Sequence, residues 1–187
     1  MRTLDLLIGL SWIAFWLYWI AAAVGALRDP SASNSSRRPR LAIFIITALV
    51  WAAAVSGHTW IGYQISQHRP WLKILGLVLF YGGLGLAIWA RKYLGKNWGM
   101  PMAVKKDPQL VTGGPYAFVR HPIYAGLICA ALGTFLALTL AWLLVFLLTA
   151  VYFIYSAVQE DKLMARQFPK TYPAYKRRTK MLVPYIV

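Results

Sequence analysis

The stretch PIYAGLICAALGTFLALTLAWLLVFLLTAVYFIYSAV (122–158) decides the fold. It runs for 37 residues without a charged side chain. A single helix of that length, at ~1.5 Å per residue, would be ~55 Å long, well beyond a hydrocarbon core of ~30 Å. The stretch therefore reads as two short spans in a hairpin, turning near Leu138–Trp142. Working outward, Leu4–Leu27, Leu41–Tyr63 and Trp71–Ala90 each supply the roughly 20 apolar residues that one span needs. The first of these is too long for a signal-peptide core and has no clear small-residue cleavage site, so it also reads as a span. The predicted fold is all-α: a polytopic membrane protein with five transmembrane helices. Residues 1–90 form three N-terminal spans. Residues 91–187 form a membrane-embedded unit of connecting loop, hairpin and C-terminal interfacial helix.

Composition agrees with a lipid environment. The chain has 187 residues, 59% hydrophobic and only 13% charged, where a soluble domain carries about a quarter charged. A net charge of +15 raises the possibility of a nucleic-acid partner. Its distribution argues against one, because 17 of the 20 basic residues fall within Arg28–Arg40, Arg91–Arg120 and Lys162–Lys180. With five spans these three segments share one side, which the positive-inside rule makes cytoplasmic, leaving the N-terminus outside. The charge then orients the chain and attracts anionic headgroups, so the bilayer is the expected partner. No obligate protein partner is implied. The short soluble loops and the single cysteine favour a bacterial inner membrane over the endoplasmic reticulum. Cys129 can form neither an internal disulfide nor a thiolate metal site, and reads as packing; no metal is expected.

Several smaller features fit the same picture. RDPSASNSSRRPR (28–40) is a polar connector. GGLG (82–85) lies inside the third span, so it reads as a close helix-packing surface and not as a dinucleotide loop. Trp12, Trp16, Trp19 and Trp71 read as lipid-facing or interfacial. His58, beside Ser56 in the second span, reads as a locally bonded structural histidine.

The chemistry gathers at the two ends of the hairpin. Acid is scarce: five residues in all, with Glu160 the sole glutamate. Glu160 lies at the cytoplasmic end of the fifth helix, where Gln159, Ser156, Tyr155 and Tyr152 make a polar, aromatic stripe on or near its face. An ionisable group embedded there needs a partner or a role; an exposed helix-end carboxylate is the competing reading. At the other end stands GGPYAFVRHPIYAG (113–126). Pro122 suits the first turn of a helix and holds His121 at the boundary. The free N–H groups of that turn form a small anion site, with Arg120 and His121 beside it. Tyr124 returns to the face of His121, and Tyr116 approaches from the loop. A proline-started helix with a snorkelling arginine is the simpler alternative. Joined, the two ends suit a ligand carrying both charge signs, and S-adenosylmethionine matches that description, with tyrosine faces available to its cation.

QLVTGGPYAFVRHPIYAG (109–126) together with QEDKLMARQFPKTYPAYKRRTKMLVP (159–184) resembles the isoprenylcysteine carboxyl methyltransferase family and its phospholipid methyltransferase relatives. These are integral-membrane enzymes that use S-adenosylmethionine without a Rossmann domain. The resemblance covers roughly residues 97–184. It implies cofactor contacts at Pro108, Gln109, Leu110, Val111, Tyr116, His121, Pro122, Ile123, Tyr124 and Glu160, with Tyr172 and Tyr175 closing the site. Catalytic roles would fall to Arg120, His121 and Glu160, and substrate contacts to Ser156 and Tyr155. Three positions depart from the family pattern: Pro101 stands where a polar residue is common, Pro169 stands where a glycine is usual, and Ser156 stands where the isoprenylcysteine enzymes have an arginine for the substrate carboxylate. A hydroxyl cannot give a bidentate, charge-assisted grip; Arg91, Arg120 or Arg166 remain as alternatives. The implied reaction is methyl transfer to a lipophilic acceptor, a carboxylate or related lipid, with a small lipophilic thiol as the alternative acceptor. Its rivals are a nicotinamide-dependent membrane reductase of the sterol-reductase type and a non-catalytic membrane scaffold.

Overall fold

A computed structural model describes residues 3–27, 70–98 and 109–184. The second expected span, the 28–40 connector, His58 and Pro108 lie outside the described residues. Those residues form five α-helices: α1 (Thr3–Leu27), α2 (Pro70–Leu94), α3 (Pro122–Ala137), α4 (Ala141–Gln167) and the short α5 (Tyr172–Arg178). Within them, Thr3–Ala22, Pro70–Leu94 and Ala141–Gln167 are long and apolar enough to cross a membrane.

The 37-residue apolar stretch divides as its length requires. Pro122 occupies the first turn of α3, where its missing N–H costs no hydrogen bond. The helix stops at Leu138, whose φ of −107° and ψ of −102° leave the helical region. Three residues later α4 begins. At 16 residues α3 is only ~24 Å long, short of a full hydrocarbon crossing.

α2 and α3 pack as an antiparallel pair through two glycine contacts. A Cβ placed on Gly76 would come within 2.7 Å of the Gly133 carbonyl oxygen and the Ala137 nitrogen. A Cβ placed on Gly126 would come within 2.5 Å of the Gly83 carbonyl oxygen and 2.9 Å of the Ala87 nitrogen. Only glycine lets the backbones approach this closely, the small-residue device of membrane helices. Of the glycines in GGLG, Gly83 makes this contact, while Gly82 and Gly85 face open space.

α1 covers the pair with an aromatic face. Trp12 is 6% exposed and donates its indole N–H to the Thr134 hydroxyl at 3.1 Å. Thr134 in turn donates to the Ala130 carbonyl at 2.9 Å, so both buried polar groups are satisfied. Trp12 also packs on Phe80, with ring centroids 5.6 Å apart. The expectation of a lipid-facing Trp12 is thus corrected: its indole needs an acceptor, and Thr134 supplies one inside the bundle. Trp71, by contrast, is exposed.

The end of α2 leads towards the site. Gly95, at φ +54°, turns the chain out of the helix in the left-handed conformation that glycine tolerates. The following turn folds Trp98 back over the Arg91 guanidinium, 4.2 Å from the ring centroid, and Trp98 meets Trp19 of α1 edge to face.

Candidate active site at the start of α3 and the end of α4

The loop before α3 is shaped by its glycines and by the C-terminal tail. Gly113 and Gly114 lie against the Tyr93 ring, and a Cβ on Gly114 would come within 2.6 Å of that ring. Gly114 has φ +58°, a second reason for glycine there. A short 3-10 turn (Gly114–Ala117) follows and buries Tyr116. The chain then pairs with the tail: Val119 bridges to Lys180, the Arg120 N–H donates to the Lys180 carbonyl at 2.8 Å, and the His121 N–H donates to the Met181 carbonyl at 3.1 Å. The segment carrying Arg-His-Pro is therefore backed by residues sixty positions later.

His121 stands at the boundary before Pro122, buried to 8% exposure and facing two carboxylates of α4. Its Nδ1 lies 3.4 Å from Glu160 Oε2 and its Nε2 lies 3.0 Å from Asp161 Oδ1. Tyr124 donates its hydroxyl to Glu160 Oε1 at 2.6 Å. The His121 and Tyr124 rings stack nearly parallel, 5.5 Å apart, and Tyr124 stacks on Phe153 of α4 at 4.8 Å. A column of three rings thus runs from the helix boundary down the α3–α4 seam, with Glu160 against its upper edge. Burial pushes the His121 imidazole down, but hydrogen bonds and charge from Asp161 and Glu160 outweigh it and raise the pKa.

Asp161 is a second centre of contacts. Arg120 Nε donates to its two oxygens at 3.1 and 3.2 Å, and Arg120 Nη2 donates to Oδ2 at 2.9 Å. Tyr172 donates its hydroxyl to Oδ1, and Lys176 Nζ lies 3.4 Å from Oδ2. Arg120 Nη1 donates to the carbonyls of Thr179 at 2.5 Å and Lys176 at 3.4 Å. Both partners of the Arg120–Asp161 pair are almost fully buried. Removing one partner of such a pair costs about 3–5 kcal/mol, because the other is left charged and unpaired.

The tyrosines of α5 close the arrangement. Tyr175 donates its hydroxyl to the Tyr116 carbonyl at 2.7 Å, and its own pKa is pushed up to about 12, chiefly by burial. Burial and then the bond to Asp161 push the Tyr172 phenol up further, and burial does the same for Tyr116, so all three stay protonated donors. Tyr116 reaches the Ala90 carbonyl at 3.5 Å.

The structure thus brings together His121, Tyr124, Glu160 and Tyr172, with Tyr175 on the Tyr116 carbonyl beside them, while Pro122 and Ile123 are buried at the start of α3. Gln109 is exposed, and Leu110 and Val111 are half-buried, with Val111 against the core. Arg120 points its guanidinium into Asp161 and the tail carbonyls. Ser156, one turn before Glu160, is fully buried, and its hydroxyl has no hydrogen-bond partner among the described residues. Tyr155 is 58% exposed. The residue missed by sequence reasoning is Asp161. The only signal for it was its place beside Glu160 in a chain with five acidic residues.

Comparison with known proteins fits this geometry. Residues 71–171, which include α2, the loop, α3 and α4, match the phospholipid methyltransferase family. The chain belongs to that family. Similar proteins include the cobalt-zinc-cadmium resistance protein CzcN of Cupriavidus metallidurans, 32% identical over 164 residues, covering 81% of this chain and 66% of that protein. The nickel-cobalt-cadmium resistance protein NccN of Alcaligenes xylosoxydans xylosoxydans is 29% identical, covering 85% of this chain and 71% of its own length. The protein-S-isoprenylcysteine O-methyltransferase of Schizosaccharomyces pombe is 29% identical, covering 95% of this chain and 73% of that enzyme. The chain spans just under two thirds of the length of CzcN and somewhat more of the other two. Phospholipid methyltransferase family membership and the long apolar helices make this an integral-membrane protein.

Proposed function

We propose that this protein transfers a methyl group from S-adenosylmethionine to a lipophilic acceptor entering from the bilayer. The observation that carries this reading is the convergence of His121, Tyr124 and Glu160, from segments about forty residues apart, around one carboxylate beside stacked rings. The donor set fits the cofactor: a mostly buried carboxylate for its positive charge, ring faces that accept a cation, and phenolic donors for its polar groups. When bound, the cofactor supplies a methyl group already activated on sulfur. Glu160 provides the counter-charge, Tyr124 and His121 fix the carboxylate, and Tyr172 and Tyr175 hold the tail over the site. Positioning and exclusion of water then supply most of the catalysis.

The proposed membrane arrangement has five spans, with α3 and α4 as the final hairpin, the N-terminus outside and the site at the cytoplasmic face. The acceptor is read as a carboxylate such as isoprenylcysteine or a related lipid, in keeping with the Schizosaccharomyces pombe relative. Ser156 offers that carboxylate no charge and Arg120 is occupied by Asp161. Arg91 suits the task better: its Nη1 donates to the Gly95 carbonyl at 3.2 Å, but its buried Nε has no partner among the described residues.

The test is binding followed by turnover. Detergent-purified protein is titrated with S-adenosylhomocysteine and separately with NADPH, then incubated with labelled methyl donor and a lipid extract. At 100 times its dissociation constant S-adenosylhomocysteine stabilises the fold by about 2.7 kcal/mol, and label appears in an extractable lipid. Binding of NADPH alone would transfer the reading to the reductase class.

A further inference from the structure

Asp161 has more partners than a helix-end carboxylate needs for burial alone, and they come from three directions. Arg120 grips it from the loop through Nε and Nη2, Tyr172 and Lys176 reach it from α5, and His121 Nε2 meets Oδ1 at 3.0 Å. Glu160, the preceding residue, is about 100° further round α4 and meets the other ring nitrogen of His121. The ring is therefore held at both nitrogens by neighbours on one helix, stacked on Tyr124 of α3.

We infer that Asp161 is a positioning residue of the site: it holds His121 by Nε2, so that Nδ1 faces Glu160, and it anchors the C-terminal tail through the same carboxylate. The inference rests on the methyltransferase reading for its consequence, which is the orientation of Glu160. Three features make this more than a structural tie. An imidazole with Nε2–H on a carboxylate has its tautomer and ring plane fixed, as in other carboxylate–histidine pairs. Arg120 holds the Asp161 carboxylate in place from Nε and Nη2, so its position against His121 does not depend on a ligand. Among the described residues, the other charged or titratable groups against the ring are Glu160 from α4 and Tyr124 from α3, while Tyr172 and Lys176 meet Asp161. His121 thus sits between the two carboxylates, with Nδ1 3.4 Å from Glu160 Oε2, while Tyr124 donates to Oε1 of the same carboxylate at 2.6 Å. Loss of Asp161 would free the ring to turn, lower its proton affinity and release the tail from the same point.

The experiment follows the ring itself. Full-length protein carrying 15N-labelled histidine is titrated in detergent micelles; the chain has three histidines, and His121→Gln assigns the relevant signal. In the wild type the ring carries a proton on Nε2 and titrates above the ordinary value of about 6.5. In Asp161→Asn the titration falls by about one unit or more. S-adenosylhomocysteine binding weakens about tenfold or more, and its pH profile moves down with the ring. Asp161→Glu restores most of both. A folded Asp161→Asn protein with a lower melting temperature but an unmoved ring titration and pH profile would reduce Asp161 to a structural tie and overturn the inference. Should that variant not fold, the wild type alone decides: a His121 with bare Nε2, or one titrating at or below the ordinary value, overturns it equally. A wild type whose ring behaves as stated but which binds no S-adenosylhomocysteine removes the methyltransferase reading while leaving the Asp161–His121 hold supported.

Discussion

Replacing Glu160 by glutamine keeps the size of the side chain and removes its charge. The carboxylate accepts a 2.6 Å bond from Tyr124 and lies 3.4 Å from His121 Nδ1. Its side chain is 21% exposed, so water only partly screens it. Hydrogen bonds to a charged group contribute about 1.5–3 kcal/mol each, and a cationic ligand group placed there loses one such partner. At about 1.4 kcal/mol per factor of ten, the dissociation constant of S-adenosylmethionine should rise about 10- to 100-fold. The protein itself should lose less, because the amide oxygen can still accept from Tyr124. Isothermal titration of wild type and Glu160→Gln, with melting temperatures as the fold control, measures both. A folded variant that binds S-adenosylmethionine as the wild type does would remove Glu160 from the cofactor site, and with it the central support for the proposed activity.

Gly126→Val should destabilise by about 1–3 kcal/mol or prevent folding, since the added atoms meet the Gly83 carbonyl and not a movable side chain; thermal melting in detergent reads this. Trp12→Phe removes the donor to Thr134 from a buried site and should cost about 1–3 kcal/mol, with Trp12→Phe/Thr134→Val recovering part of the loss. His121 contributes pH-dependent stability of a definite sign: its folded pKa is raised, so its stabilisation is complete below about 6.5 and lost as pH rises through the folded value. Melting temperatures across that window should fall with rising pH in the wild type and flatten in His121→Gln. Arg91→Gln should raise KM for a carboxylate acceptor such as an S-farnesylcysteine while leaving S-adenosylhomocysteine affinity unchanged.

Length and punctuation made much of the core legible. A charge-free run of 37 residues had to break, and Pro122 marked where the first helix starts. The scarcity of acid pointed to Glu160, and helical spacing placed Tyr124 on the face of His121. Asp161 was not legible because its partners are far away in sequence: Arg120 lies in a loop, and Tyr172 and Lys176 lie beyond a helix end. Adjacency to Glu160 says only that the two point in different directions. Trp12 was misread for another reason. Lipid and protein interior are equally apolar, so hydropathy cannot tell which side of a membrane helix faces the bundle. The pairing of Trp12 with Thr134, 122 positions away, decides it.

The two glycine contacts between α2 and α3 also act as a ruler. Gly76 and Gly83 are seven residues apart, as are Gly126 and Gly133, so the helices can interlock in only one alignment over ~10 Å of axis. One extra residue between Gly76 and Gly83 would swing the second contact about 100° away and carry Arg91 round with it. Length change in this part of the chain is therefore confined to the connections, and the glycine notches fix where the Arg-His-Pro boundary stands relative to the end of α2.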